Sequence, residues 1–256
     1  MSAKIPAASR TLALLRNLAK AAAPVTAVSL ARQIAAPRST TYQLLQVLEA
    51  EGFVIHYPET ARWGIGVAAF ELGSAYLRHD PLERVARPIL AKLARAAEKH
   101  LPAVAQVGIL HGDETLYLLK ELPTQSVSVV TEVGVRLPAH LTASGRALLA
   151  LNSPAQLRAI YGSKDFVDRT GAGPKNMREL NSILKTEREQ GYSFEKGHVT
   201  FGYASIAAAA KNHLQIPIAA LALTFRQEHA SIELVQILSQ LVKTSADELS
   251  KRLGAS

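Results

Sequence analysis

PRSTTYQLLQVLEAEGFV, residues 37–54, opens on polar and basic side chains, turns leucine-rich, and stops at Gly52 before an apolar run. A helix over 38–51 at about 100° per residue puts Thr41, Leu44, Leu45 and Leu48 on one side, and Ser39, Gln43, Gln46 and Ala50 on the other. The first side is a core face. The second carries groups that donate and accept against base edges without bringing like charges together, and glutamine pairs bidentately with adenine. At the helix start, free N–H groups together with Arg38, Ser39 and Thr40 suit phosphates. Taken alone, the pattern fits an ordinary solvated helix about as well, so its surroundings decide.

Upstream, SRTLALLRNLAK (9–20) repeats apolar residues at Leu12, Leu15 and Leu18, the pattern of an amphipathic helix. Thr26 is placed to cap a second helix through VSLARQIAA, with Val28, Leu30, Ala31 and Ile34 turned inward, and Ala35-Ala36-Pro37 makes a tight turn into the third. Downstream, FVIHY (53–57), a turn at PETA and RWGIG (62–66) read as a hairpin bearing His56, Arg62 and Trp63. Three helices followed by a hairpin is the layout of a winged helix-turn-helix. Residues 1–48 hold Lys4, Arg10, Arg16, Lys20, Arg32 and Arg38 and no acid before Glu49. A surface with that bias holds a phosphate backbone by counterion release.

The whole chain has 256 residues and a formal charge of +8, room for two modest domains. Its 48% hydrophobic and 20% charged residues are those of a soluble globular protein, and no apolar run reaches bilayer-spanning length. Arg16 and Lys20 interrupt the only candidate signal-peptide core, so the N-terminus reads as part of the fold. With no cysteine, disulfides and thiolate metal sites are excluded, and a reducing compartment, the cytoplasm, is the expectation.

Beyond the hairpin, a helix is expected from Val67 to about His79, with Phe70, Leu72, Gly73, Tyr76 and Leu77 available for packing. Asp80-Pro81 breaks the chain and starts a long helix, PLERVARPILAKLARAAEKH. The expected division is therefore 1–66 for the winged helix-turn-helix, 67–80 for a linker helix and 81–256 for a second domain. In that domain 103–110, 114–122, 127–133 and 216–225 read as strands, and 141–151, 154–162, 176–191 and 231–254 as helices. Short turns between the early strands make it a mixed α/β (α+β) domain with antiparallel pairing.

STTYQLLQVLEAEGFV, RWGIGVAAFELGSAYL, VRLPAHLTASGRALLAL and EREQGYSFEKGHVTFGYASIAAAA with IPIAALALT together resemble the isocitrate lyase regulator (IclR) family of bacterial transcription factors, in the right order over nearly the whole chain. The resemblance implies a winged helix-turn-helix, a linker helix, and a GAF-like effector-binding domain in a dimer or tetramer on a palindromic double-stranded DNA operator. It makes 38–50 the recognition helix, reading the major groove through Arg38, Ser39, Thr40, Tyr42, Gln43 and Gln46 with Arg62 on the wing; the family commonly has Arg where this chain has Gln43. It implies an effector pocket at Ala143, Ser144, Gly145, Glu195, Ser205 and Thr224, where N–H groups at a helix start and two hydroxyls meet the carboxylate of a small organic acid, aromatic acids included. Ala222 stands where some members have a hydroxyl, which makes this pocket less polar.

Other motifs do not hold. GIGVAA (64–69) matches a dinucleotide fingerprint but follows a polar hairpin rather than a buried parallel strand. GAGPK (171–175) lacks the hydroxyl after lysine that a phosphate loop needs, no histidine pair has helical metal spacing, and no serine sits in a nucleophile elbow. The sequence thus reads as a regulator with no cofactor and no metal. The competing classes are a small-molecule-processing enzyme with an accessory winged helix, for which no nucleophile–base pair is present, and a winged helix used only for protein contacts.

Overall fold

The computed structural model describes residues 5–79, 81–124, 132–162 and 165–255. The chain divides into two compact units, Met1–Asp80 and Pro81–Ser256.

The first unit runs α1 (Pro6–Lys20), β1 (Val25–Thr26), α2 (Ala27–Gln33), α3 (Arg38–Ala50), β2 (Val54–Tyr57), β3 (Arg62–Ile65) and α4 (Val67–His79). The Thr26 hydroxyl accepts the Ser29 N–H at 3.3 Å and so starts α2, and Ala35 takes φ 49° in the turn to α3. Leu14, Leu18, Leu30, Leu45, Leu48 and Trp63 close one core. Thr41 is also buried there, its hydroxyl donating to the Pro37 carbonyl at 3.0 Å, so its polar atom is satisfied along its own helix. The end of α3, the hairpin and the start of α4 are tied together at Gly66. Its N–H donates to the Phe53 carbonyl at 2.9 Å, and a Cβ there would stand 2.3 Å from the Gly52 carbonyl oxygen. That close approach is why GIGVAA carries a glycine at 66.

The second unit runs α5 (Pro81–Glu98), β4 (Val104–His111), β5 (Glu114–Glu121), β6 (Arg136–Pro138), α6 (Ala143–Leu149), α7 (Pro154–Tyr161), α8 (Met177–Gln190), β7 (Ser193–Lys196), β8 (Tyr203–Lys211), β9 (Pro217–Arg226) and α9 (Ile232–Arg252). Its strands form one sheet in the order β6-β5-β4-β9-β8-β7, antiparallel throughout. One face is packed with large side chains, Leu90, Leu93, Ile206, Leu221, Phe225 and Leu238, under α5 and α9. On the other, Ala143 and Ala147 of α6 meet Ala207, Ala220 and Ala222, and these small side chains let the helix lie close to the strands. Outside α6, Leu157, Leu180 and Leu184 of α7 and α8 complete a second core.

Several sequence expectations change. Leu14, not Leu12, is buried in α1; Leu12 is 52% exposed because the inward stripe is Leu14 and Leu18, one turn apart. Val28 lies at the surface of α2. Phe70 and Leu72 of α4 are 73% and 65% exposed rather than packed, while the side chains of Tyr76 and Leu77 lie outside the described part of the structure. Strands β1, β6, β7 and β8 were not foreseen. The strand expected over 127–133 falls mostly outside the described residues, and Glu132 and Val133, which are described, are not in a strand; Asp80 is likewise undescribed.

Candidate functional site

The residues expected to form sites fall in two places, one in each unit. In the first, α3 buries Thr41, Leu45 and Leu48 and leaves Arg38, Ser39, Tyr42, Gln43 and Gln46 exposed on the opposite face, with Thr40 half-buried. Its cap is Pro37, which makes no side-chain hydrogen bond to the helix, and its first turn contains no acid. The N–H groups of that turn thus lack a side-chain cap, and the turn itself holds no acid to repel an anion. Val47, 61% exposed beside Gln43 and Gln46, was not singled out from sequence. An exposed apolar group on such a face suits a thymine methyl. On the wing, the Arg62 guanidinium is exposed and donates to the Pro24 carbonyl at 2.9 Å, which fixes the side chain while leaving its other donors outward. Trp63 is core, 3% exposed, with His56 stacked on it at 4.4 Å between ring centroids.

In the second unit, strand register places Glu195, Ser205 and Thr224 directly opposite one another across β7, β8 and β9. They point to the α6 face. Ser205 and Thr224 share a hydrogen bond of 3.1 Å, and the Thr224 hydroxyl donates to Gln106 Oε1 at 3.3 Å. These four side chains, with Tyr117, Thr142, Thr200 and Tyr203, line a cavity of about 30 Å³. Ala143, Ser144 and Gly145 are buried at the start of α6. The Gly145 N–H is already taken by the Thr142 hydroxyl at 3.0 Å, and a Cβ at 145 would stand 2.3 Å from the Ala139 carbonyl oxygen. The exposed helix start expected from sequence is thus a packed one at Gly145, and Thr142 is the residue of that turn that faces the cavity. Gln106, Tyr117 and Thr142 had no sequence signal, because only strand pairing brings them beside Glu195.

Electrostatics here are set by burial. The Glu195 carboxyl is 2% exposed and accepts the His198 backbone N–H at 2.8 Å; burial pushes its pKa up, against the pull of Ser205, of that N–H and of Arg146. Burial also pushes the Tyr117 phenol up to about 12, with the Ser144 and Thr142 hydroxyls beside it opposing the rise. Behind the cavity, Arg146 of α6 is 1% exposed. Its Nη2 sits 2.9 Å from Glu187 Oε1 and donates to the Phe194 carbonyl at 2.6 Å, and its Nη1 donates to His198 Nδ1 at 2.9 Å. Burial and the adjacent guanidinium hold His198 down to about 4, so its imidazole is neutral and its Nδ1 is the acceptor. Glu187 in turn accepts from the Ser193 hydroxyl at 2.8 Å and the Phe194 N–H at 3.2 Å. Among the described residues, no group of three or more His, Cys, Asp or Glu side chains is placed to hold a metal, and no helix is long and apolar enough to cross a membrane.

A family model described as "Bacterial transcriptional regulator IclR C-terminal" matches residues 74–251, and one described as "IclR helix-turn-helix domain" matches residues 7–56. The acetate operon repressor of Salmonella typhimurium is 26% identical over 256 aligned residues, covering 99% of this chain and 92% of the relative. Among solved structures, an IclR transcriptional regulator from Alicyclobacillus acidocaldarius superimposes with a TM-score of 0.85 at 21% identity, covering 97% of this chain and 99% of its own. An IclR homolog from Microbacterium hydrocarbonoxydans complexed with 4-hydroxybenzoate gives a TM-score of 0.79 at 21% identity, covering 98% and 100%.

Proposed function

The chain belongs to the IclR family of bacterial transcriptional regulators, and on that premise we propose that it binds a palindromic operator through α3 and that a small organic acid in the cavity beside Glu195 changes its hold on that DNA. The carrying observation is the exposed face of α3, with Ser39, Gln43 and Gln46 over a buried Leu45 and Leu48 and an uncapped, acid-free first turn. Arg38, Ser39 and Thr40 meet phosphates; Tyr42, Gln43, Gln46 and Val47 face base edges; Arg62 lies near the backbone from the wing. Relatives named as repressors support repression as the mode, and regulation of this kind belongs in the cytoplasm. Selection of DNA from a random library by parent and variant tests the reading. Gln46→Ala is expected to relax preference at one or two positions, with a loss of about 1–3 kcal/mol of discrimination. Selection of the same sequences with the same stringency would remove Gln46 from the reading face.

A palindromic operator requires two copies, and Val67, Phe70 and Leu72 of α4, exposed at 67%, 73% and 65%, supply apolar surface for a homo-oligomer, dimer or tetramer. Effector control follows if ligand favours one spacing of the two reading helices over another, since only differential affinity shifts an equilibrium.

For the effector, Ser205, Thr224 and the Gln106 amide offer donors to a carboxylate, and a regulator of the same fold is seen with an aromatic acid. A cavity of about 30 Å³ has room for a water molecule or two and not for an organic acid, so an acid requires the 197–202 loop, which contributes Val199 and Thr200, to yield. Glu195 decides the pH behaviour. An anion beside it raises its pKa further, so binding takes up a proton and carboxylate affinity rises as pH falls. Glu195→Gln is expected to flatten that pH dependence and, above the pKa of Glu195, to tighten a simple monocarboxylate by at least about tenfold. Calorimetry across pH checks both; weaker binding by Glu195→Gln would show that the carboxylate of Glu195 itself receives the ligand.

A further inference from the structure

At the free end of β8 lies a hollow of about 260 Å³ that the effector cavity does not use, far roomier than the space beside Glu195. It exists for two reasons. Strand β7 pairs with β8 only from Ala204 to Ala207, so among the described residues the outer edge of β8 from Ala208 to Lys211 has no strand beside it. The side chains around that edge, Ala147, Ala150, Ala208, Ala209 and Ala246, are too small to fill the space.

The rim is charged. Arg188, Lys211 and Lys243 surround it, and the acids among the lining residues are Glu187 and Asp247. Glu187 is already matched by Arg146, which leaves three cations against one carboxylate. Arg188 donates to the carbonyls of Ala150 and Asn152 and Lys243 to that of Gln190 at 3.3 Å, contacts that orient the two cations without neutralising them. Among the described residues, the Lys211 ammonium makes no hydrogen bond or ion pair, and neither does the Asp247 carboxylate. The Lys211 backbone N–H is already taken by the Ser250 hydroxyl at 2.9 Å, so the side-chain cations are what an anion would meet. An apolar floor of alanines with Tyr192, under a rim of excess positive charge, fits an anionic head on a short apolar body.

We propose that this hollow is a second small-molecule site, separate from the cavity beside Glu195, and that it takes a short organic anion. Hexanoate titrated into the full-length protein by calorimetry is the probe, with inorganic phosphate as the head group alone. Lys211→Gln combined with Lys243→Gln removes the charge, and Ala209→Leu fills the space; circular dichroism confirms that each variant is folded. Each is expected to weaken hexanoate binding at this site by at least about tenfold, with phosphate binding the parent more weakly than hexanoate. The single change Lys211→Gln, at a side chain without partners, should weaken it in the same direction without touching the fold. Hexanoate that fails to bind the parent, or binds parent and variants alike, overturns the site. Phosphate binding as tightly as hexanoate overturns the apolar part of the assignment.

Discussion

Replacing Arg146 by methionine is expected to cost the second unit about 3–5 kcal/mol, because it leaves Glu187 buried with only the Ser193 hydroxyl and the Phe194 N–H for company. The pair itself need not be strongly stabilising. Two charges at 1% and 5% exposure were taken out of water to make it, and their attraction and hydrogen bonds mainly offset that cost. Breaking it is different from never having it. Once unpaired, Glu187 has a folded pKa raised well above its unfolded value, so the folded state binds the extra proton. The penalty is then largest above the folded pKa and shrinks as pH falls toward the unfolded carboxylate value near about 4.3. Urea unfolding followed by circular dichroism should show Arg146→Met recovering stability, relative to the parent, between pH 7 and pH 5. Adding Glu187→Leu should restore part of the loss at pH 7, since it removes the orphaned charge but leaves Ser193 without its acceptor. A single variant as stable as the parent at pH 7 would mean that Arg146 is not what holds Glu187 in place.

Leu45→Ala in α3 is expected to destabilise the first unit by about 2–5 kcal/mol, a large share of what a unit of this size possesses. Leu45 is fully buried between α1, α2 and the sheet, so its removal leaves a cavity that the surrounding side chains fill only in part. The chain's single tryptophan makes this measurable. Trp63 lies 3% exposed in the same core, and its fluorescence reports unfolding of this unit alone. The neighbouring substitution Val47→Ala sits on the exposed face of the same helix at 61% exposure and should leave the Trp63 transition within about 0.5 kcal/mol of the parent. The contrast between two apolar residues two positions apart separates the face that holds α3 in place from the face turned to solvent. Equal effects would put the helix in the wrong rotation.

The rotation of α3 was legible because three independent signals agree along it: a polar first turn, leucines at helical spacing, and Gly52 at its end. Less survived where one pattern had two readings. In SRTLALLRNLAK the leucine spacing admits either Leu12 or Leu14 as the inward residue, and packing against α2 and α3 chose Leu14. YASIAAAAK was not read as a strand because alanine has little preference for one; β8 forms because β9 lies along one side for its whole length. The cavity beside Glu195 was the least legible part. Glu195, Ser205 and Thr224 entered through family resemblance, and it is register that sets them side by side, whereas Gln106, Tyr117 and Thr142 come from segments far apart in sequence. Arg146 carries a signal in the sequence itself. Every residue of α6 except Arg146 and Ser144 is apolar or glycine, which marks a helix buried all round, and an arginine in such a helix needs a buried acid.

If the exposed face of α3 reads DNA, as proposed, the salt dependence of binding follows from its phosphate contacts and can be measured. Fluorescence anisotropy on a selected operator should show log affinity falling linearly with log salt, from several neutralised phosphates, with a slope shallower by about 1 per phosphate contact removed in Arg38→Ala. Gln46→Ala should keep the parent's slope while losing discrimination between operator and unrelated DNA. Affinity that does not change with salt in the parent, or the same slope for parent and Arg38→Ala, would contradict the claim.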